Sequence, residues 1–226
     1  MKKNIQKESF PGDKGNQIPI VISYLVIRNA IGILGILLPL VLVFGSFLFG
    51  HVKEILPSIS NYYHTNMRDF FVGLLCAVAL FLFAYKGYDK RDNITGNLGC
   101  IFALGVAFFP TSTGDTLSTR PPVIGILHLA FATLFFLVLI YFSLVLFTKT
   151  GKKVMTRRKR IENRVFRLCG YIMLACILLI ALYFSVLENV IPGLADCDPV
   201  FWLESFCLLA FGISWLTKGK LLRNNV

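Results

Sequence analysis

The chain has 226 residues, of which 56% are hydrophobic and only 15% are charged, and its mean hydropathy is +0.70. A water-soluble domain of this length could not bury so much apolar surface, whereas a helix bundle in a bilayer exposes it to lipid. The formal charge of +11 is compatible with nucleic-acid binding, but no folded nucleic-acid-binding domain accompanies the basic residues, and we expect no nucleic-acid partner. The composition therefore predicts an integral membrane protein.

Six apolar runs, each bounded by polar segments, have the length and character of membrane-spanning helices. In chain order they occupy about residues 29–50, 68–86, 94–110, 123–148, 165–188 and 200–216. The segment 18–27 is also apolar but ends at Arg28, which indicates an interfacial helix or an extension of the first span. We therefore predict an all-α, polytopic bundle at 29–217, with polar tails at 1–28 and 218–226. The six cysteines indicate no disulfide framework.

The positions of the basic residues predict the orientation. Of the 23 Lys and Arg residues, 20 lie in the two tails, in the connection after the second span together with Lys86 at the end of that span, and in the connection after the fourth span together with Arg167 at the entry to the fifth. These segments share one side of a six-span topology, and the positive-inside rule places that side in the cytoplasm. We therefore expect both termini to be cytoplasmic, in a multi-pass protein of the plasma (inner) membrane. The run KKVMTRRKR at 152–160 is interpreted as a topology signal that also contacts anionic headgroups.

Polar side chains gather at the opposite, outer side of this topology. The stretch LPSISNYYHTNMRDFF, at 56–71, lies just ahead of the second span. His128 follows Pro122 by six residues, and Glu204 follows Pro199 by five. If each proline opens its helix, both side chains lie about 8–9 Å inside it. An ionisable residue inside a span is costly and often marks a site, whereas the inner halves of the spans are interpreted as nearly all apolar.

The stretch at 56–71 also has a helical pattern. A second helix that begins near Ser58 would place Ser60, His64 and Arg68 on one face, at i, i+4 spacing. Asp69 lies about half a turn away from Ser60 in projection. The pattern thus predicts that Ser60 and His64 point toward the same neighbours.

These residues and those inside the fourth and sixth spans form the candidate site. Two imidazoles and a carboxylate are a common ligand set for Zn²⁺ with an open water position. The predicted metal ligands are His64, His128 and Glu204. The predicted catalytic residues are Ser60, to orient or stabilise the oxyanion, and Asp69, to accept a proton from the metal-bound water, with Asp115 or Glu204 as alternatives.

The same residues are also compatible with a purely structural role. His64 and its tyrosine neighbours suit an outer interfacial belt, and Glu204 could hydrogen-bond to His128 as a buried pair. Asp198, directly before Pro199, suits the N-cap of the last helix. In that interpretation the cluster is an interhelical polar contact without a ligand.

Four stretches of the sequence resemble an uncharacterised bacterial family of six-helix membrane proteins. They are SISNYYHTNMRDFFVG, AYKGYDKRDNITGNLGCIFALGVAFFPT, HLAFATLFF and ESFCLLAFGISWLTKG. The resemblance extends from about residue 30 to the C-terminus and implies the six-helix topology, without an established activity. The Ser60-x-x-x-His64 pattern is also similar to an element of the CREST membrane hydrolases, which include the alkaline ceramidases. That similarity implies a zinc-dependent lipid amide or ester hydrolase, although the last span here has Glu204 where that group has a His-x-x-x-His pair.

Three functional classes stay open on the sequence. The first is a non-enzymatic multi-pass protein that binds lipid or a protein partner through a polar pocket near the outer face. The second is an intramembrane metal-dependent hydrolase acting on a lipid amide or ester. The third is a small transporter with His128 and Glu204 as relay groups, against which the apolar inner halves and the lack of an inverted repeat argue. Membrane lipids are the expected partners.

Overall fold

The computed structural model describes residues 14–49, 54–87, 89–112, 122–150, 156–191 and 193–220. Within these ranges the chain is helical and contains no strand. The long helices are α1 (Lys14–Phe49), α2 (Arg68–Ala84), α3 (Lys90–Phe108), α4 (Pro122–Tyr141), α5 (Arg157–Leu182) and α6 (Pro199–Gly219). α4 continues into a π-helical turn at Phe142–Leu146, and α5 into one at Tyr183–Leu187 followed by Glu188–Val190. All six cysteines are free.

α1 is longer than the first predicted span. It begins at Lys14 rather than near residue 29, so the apolar segment 18–27 is an extension of this helix. At about 1.5 Å per residue its 36 residues cover roughly 54 Å, compared with about 30 Å for the hydrocarbon core of a bilayer. α1 is therefore long enough to project beyond the membrane.

α3 and α5 also begin earlier than predicted, because a polar side chain caps each of them. The hydroxyl of Thr156 accepts a hydrogen bond from the backbone N–H of Lys159 at 3.3 Å, and the carboxylate of Asp89 accepts one from the N–H of Asp92 at 3.1 Å. Such caps satisfy the first backbone donors of a helix, which have no partner inside it. Charged residues that the sequence assigned to loops therefore belong to helices.

The helices have the apolar character expected in a membrane. In the described part of the chain, four segments are long and apolar enough to cross one: Tyr24–Phe49, Val123–Leu146, Arg157–Leu187 and Ala195–Gly219. α2 has only 17 residues, and the first turn of α3 carries three charged side chains. Large apolar side chains lie exposed on the outside of the bundle, among them Leu48, Phe49, Leu80 and Val190. Exposed apolar surface on this scale is consistent with a helix bundle that is surrounded by lipid.

α1 and α6 approach each other closely through two glycines. A Cβ atom on Gly32 would lie 2.9 Å from the carbonyl oxygen of Gly212, and a Cβ on Gly212 would lie 2.7 Å from the carbonyl oxygen of Gly32. Helix backbones reach such distances only where side chains are very small. Gly35 lies against Leu208 and Phe211, and Gly219 lies against Asn29, so the two helices pack antiparallel, with the end of α6 beside Asn29 of α1.

The two ends of the bundle differ chemically. A 3-10 helix at Ile59–His64, here named the cap helix, closes one end, which we name the cap end. The opposite end, which we name the basic end, holds the first turns of α3 and α5 with their Lys and Arg side chains. Between them lies an apolar core in which Trp215 is fully buried. Its neighbours, at 5.0 to 6.0 Å between ring centroids, are Tyr85, Phe142, Phe147 and Phe211.

Candidate functional site

The polar stretch at 56–71 folds differently from the predicted continuous helix. Ser58 caps the cap helix, its Oγ accepting from the N–H of Asn61 at 3.2 Å, and the extended backbone of Thr65 (φ −116°, ψ −179°) ends it. α2 starts three residues later. The predicted common face through Ser60, His64 and the start of α2 is therefore wrong, because a 3-10 helix has three residues per turn and an extended Thr65 and a turn at Asn66 and Met67 separate the two helices.

Ser60 is hydrogen-bonded to His128, which is 3% exposed on α4. The Nε2 atom of His128 lies 2.9 Å from the Oγ of Ser60, and its Nδ1 atom lies 2.6 Å from the carbonyl oxygen of Phe109. A carbonyl oxygen can only accept, so Nδ1 carries the hydrogen. In the neutral imidazole, Nε2 is then the acceptor for the hydroxyl of Ser60.

Glu204 holds the residue next to Ser60. Its Oε2 atom accepts a hydrogen bond from the backbone N–H of Ile59 at 2.7 Å. One turn earlier on α6, the N–H of Phe201 donates to the carbonyl oxygen of Pro57 at 3.0 Å. Glu204 and His128, the two ionisable residues predicted at similar depth, thus contact the same short segment. His128 links Ser60 of the cap helix to α4, and Glu204 links Ile59 of the cap helix to α6.

The remaining predicted site residues lie apart from this pair. His64 is exposed and its Nε2 atom lies 2.8 Å from the carbonyl oxygen of Thr111, at the start of the connection from α3 to α4. Asp69 is exposed in the first turn of α2, and in the described part of the chain no hydrogen bond joins it to Ser60. Asp115 lies outside the described residues. Asp198 is at the N-cap of α6, as the structural interpretation requires, but its side chain makes no capping hydrogen bond.

The described residues do not bring the three predicted zinc ligands together as one group. Among the described residues, no group of three or more His, Cys, Asp or Glu side chains is placed to hold a metal ion. Each of the three predicted ligands instead forms hydrogen bonds with other groups of the chain. Both ring nitrogens of His128 already bond to other atoms of the chain, His64 turns toward a backbone carbonyl, and Glu204 accepts from a backbone amide.

A small cavity lies beneath the cap helix. Its volume is about 40 Å³, and Ser60 and Glu204 are the polar members of a lining that is otherwise apolar. The site of one water occupies at least 10–15 Å³ on this measure, so the cavity has room for a few water molecules. A second space of about 10 Å³ continues along the bundle axis and shares Leu38, Leu75, Phe135 and Leu208 with the first. The volume of this cavity is far below that of a lipid chain.

A larger groove runs between α3 and α4 on the side of the bundle. Its volume is about 390 Å³. Ile94, Leu98 and Phe102 form the α3 wall, and Leu134 and Leu137 belong to the α4 wall. The sequence analysis missed this feature, since all five residues are ordinary members of apolar spans and only the pairing of the two helices creates the groove.

The basic end carries a buried charge that the sequence analysis also missed. Asp92 is 1% exposed, and its Oδ1 atom lies 3.3 Å from the Nζ of Lys149, which also contacts Oδ2 of Asp89 at 2.9 Å. The hydrogen bond from Lys149 lowers the pKa of Asp89, and the same bond raises the pKa of Lys149. A link between these residues could not be read from the sequence, because 57 positions separate Asp92 from Lys149.

Other buried polar groups lie toward the same end. Arg28 is 8% exposed, and its guanidinium lies 5.3 Å and 5.4 Å from the ring centroids of Tyr24 and Tyr85. The hydroxyls of Ser143 and Ser214 lie 2.8 Å apart in the fully buried core. These helices thus turn their few polar residues inward and their apolar faces outward.

No protein-family model, no curated protein and no solved structure matches this chain.

Proposed function

We propose that the chain is a multi-pass membrane protein with six spans and cytoplasmic termini, and that it binds a membrane lipid in the groove between α3 and α4. The observation that carries the proposal is the groove itself, with about 390 Å³ of space and apolar walls from both helices. Binding sites for small ligands typically have volumes of about 300–1,000 Å³. The cavity under the cap helix, at about 40 Å³, cannot take such a ligand.

The exposure of the walls favours lipid over a water-soluble ligand. Ile94 is 58% exposed, and Leu98, Leu134 and Leu137 are 40–45% exposed on the outside of the bundle. A groove on this surface opens sideways into the bilayer, where acyl chains are the surrounding solvent. A lipid therefore reaches the groove without leaving the membrane, and its chain matches the apolar walls.

Two observations support six spans rather than four. α2 and α3 are packed side by side, since a Cβ on Gly96 would lie 2.7 Å from the carbonyl oxygen of Leu82. The 17 residues of α2 rise roughly 26 Å, close to the hydrocarbon thickness of about 30 Å. Both helices run between the cap end and the basic end, as the four more apolar helices do.

A bulky side chain in the groove tests the proposal. Leu137→Trp adds a ring to the α4 wall, and Leu178→Trp is the matched control, since Leu178 is also an exposed apolar residue and lies on α5. Native mass spectrometry of protein extracted in mild detergent counts the lipids that each variant retains. We expect the first variant to retain one lipid fewer than the wild type and the control to be unchanged. Equal lipid counts in all three proteins would refute the groove as a binding site.

The pair Ser60–His128 favours a second candidate function, a metal-free hydrolase of an ester or amide. A serine whose hydroxyl donates to an oriented, neutral imidazole is the usual arrangement of an activated nucleophile. The Oγ of Ser60 would bond to the substrate carbonyl carbon while Nε2 of His128 takes its proton and passes it to the leaving alcohol or amine. Water would then release the acid by the reverse transfer. The carbonyl of Phe109 replaces the carboxylate that usually orients the histidine.

Labelling with a fluorophosphonate probe decides this candidate. Such probes form a stable bond with an activated serine, and peptide mass spectrometry locates it. We expect labelling at Ser60 that Ser60→Ala and His128→Gln abolish. Ser58→Ala is the control, because Ser58 lies in the same segment with its Oγ engaged by Asn61. A wild-type protein that stays unlabelled at Ser60 in membranes would exclude the hydrolase.

A further inference from the structure

We infer that the groove between α3 and α4 selects an anionic phospholipid, with the phosphate against Arg91 and one acyl chain along the apolar walls. The inference rests on the proposed lipid-binding function and adds the chemical class of the ligand. It follows from the position, the partners and the chemistry of Arg91, which lines the groove in the first turn of α3.

The groove has a polar mouth and an apolar floor. Along α3, Arg91, Ile94, Leu98 and Phe102 succeed one another at spacings of three and four residues, which places them on one helix face. Arg91 is at the basic end, and Phe102 lies eleven residues along the helix, or about 16 Å at 1.5 Å per residue. This rise equals about half of a hydrocarbon core of 30 Å. The groove thus runs from headgroup level to mid-membrane, which is the depth of one acyl chain.

The charge of Arg91 is available to a ligand. Its side chain is exposed, and in the described part of the chain no carboxylate lies within ion-pair distance of it. The two acidic residues that flank it in the sequence, Asp89 and Asp92, are instead paired with Lys149. A guanidinium offers several N–H donors in a plane and binds phosphate oxygens in pairs. An anionic headgroup would therefore complement the positive charge of Arg91 at this end of the groove.

The opposite wall supplies a second polar group at the same level. Tyr141, the last residue of α4, lines the groove and is 37% exposed. The hydroxyl of Thr95, in contrast, already donates to the carbonyl oxygen of Arg91 at 2.7 Å. The donors that face the headgroup are therefore the guanidinium of Arg91 and the phenol of Tyr141, and both suit a phosphate better than an uncharged headgroup.

Competition between two lipids tests the selectivity. Purified full-length protein in detergent is mixed with equal amounts of dioleoylphosphatidylglycerol and dioleoylphosphatidylcholine, and native mass spectrometry gives the ratio of the bound species. We expect Arg91→Gln to lower the preference for phosphatidylglycerol about fivefold, the factor for one headgroup contact at roughly 1 kcal/mol. Lys90→Gln removes the same charge from the neighbouring position outside the groove lining, and we expect it to leave the ratio unchanged.

The possible results separate the inference from the proposed function. An equal loss of preference in both variants would mean that general surface charge selects the lipid, which overturns the role of Arg91. If Leu137→Trp displaces the retained lipid but the wild type shows no preference for phosphatidylglycerol, the role of Arg91 is also overturned. The lipid-binding function then stands. Retained lipid that Leu137→Trp leaves in place would refute the lipid-binding function itself. Two results together support both the inference and the lipid-binding function. Leu137→Trp displaces the retained lipid, and Arg91→Gln removes the preference for phosphatidylglycerol while Lys90→Gln does not.

Discussion

His128 and Ser60 are 68 positions apart in the chain, yet the Nε2 atom of one lies 2.9 Å from the Oγ of the other. The contact joins α4 to the cap helix, and Glu204 makes a comparable contact from α6 to the adjacent Ile59. Together with the bonds from Phe201 to Pro57 and from His64 to Thr111, these two hydrogen bonds hold the cap helix in position. The first two predictions therefore concern them.

Removal of the His128 ring should destabilise the protein. In His128→Ala, the hydroxyl of Ser60 and the carbonyl of Phe109, both part-buried, lose their hydrogen-bond partner, and we expect a loss of about 1–3 kcal/mol in unfolding free energy. Denaturant unfolding in detergent micelles, followed by circular dichroism, measures the loss. Thr133→Ala is the control, since Thr133 bonds only within α4. Equal unfolding free energies for the two variants would contradict the prediction.

Substitutions of Glu204 should separate its hydrogen bond from its charge. Glu204→Gln keeps an acceptor for the N–H of Ile59, whereas Glu204→Leu leaves that donor without one. We expect the amide of Ile59 to exchange hydrogen faster in the leucine variant only, with a loss of about 1–3 kcal/mol in unfolding free energy. Hydrogen-exchange mass spectrometry of the peptide that covers the cap helix is the measurement. Fast exchange in both variants would show that the carboxylate charge, rather than the acceptor, holds the segment.

A methyl group at the α1–α6 contact should be costly. In Gly212→Ala the new Cβ would meet the carbonyl oxygen of Gly32 and the side chain of Ile36, so the two helices must separate. We expect a loss of about 1–3 kcal/mol, as for other overpacked interiors. Gly73→Ala is the control: a Cβ there meets nothing within 4 Å, and alanine favours the helix by up to about 1 kcal/mol over glycine. Thermal unfolding of both variants in the same detergent is the measurement. We expect Gly212→Ala to lower the melting temperature and Gly73→Ala to raise it.

The ion pair at the basic end should make stability depend on pH. Because Lys149 lowers the pKa of Asp89 below its ordinary value of 3.8, the stabilisation is complete above that value and is lost as the pH falls through the lowered pKa. Because Asp89 raises the pKa of Lys149 above 10.5, the stabilisation is also lost as the pH rises through the raised pKa.

The variant Lys149→Gln tests this dependence. Its melting temperature should lie below that of the wild type at neutral pH, and the two curves should converge at both extremes. Thermal unfolding at a series of pH values is the measurement. A constant difference between the two proteins across the whole range would show that Lys149 acts through packing alone.

Cysteine labelling should establish the orientation. Cys197 is exposed at the cap end, in the connection between α5 and α6, and we expect it to face outward. A membrane-impermeant maleimide should label it in intact cells expressing the protein, and Cys197→Ser should abolish the signal. Arg158→Cys in that background lies at the basic end and should react only after permeabilisation. Reversed labelling would contradict the prediction that both termini are cytoplasmic.

The helices and their apolar surroundings could be derived from the sequence. Long apolar runs have one stable form in lipid, the helix, because each backbone donor then finds its acceptor nearby in the chain. Pro122 and Pro199 both open their helices, as predicted from the fixed backbone angle of proline and its missing N–H. The capped starts of α3 and α5 were misjudged, because a capping hydrogen bond can extend a helix into a charged segment that hydropathy assigns to a loop.

The partners of the polar residues were decided only by the tertiary structure. The positions of Ser60, His128 and Glu204 in the sequence marked them as candidates. The sequence could not show that the histidine binds the serine while the glutamate binds a backbone amide. The groove beside Arg91 could not be predicted either, because side chains of both α3 and α4 form its walls. Hydropathy indicates whether a segment is stable in lipid or in water. A site depends instead on which segments contact one another, and the close packing of the whole chain determines those contacts.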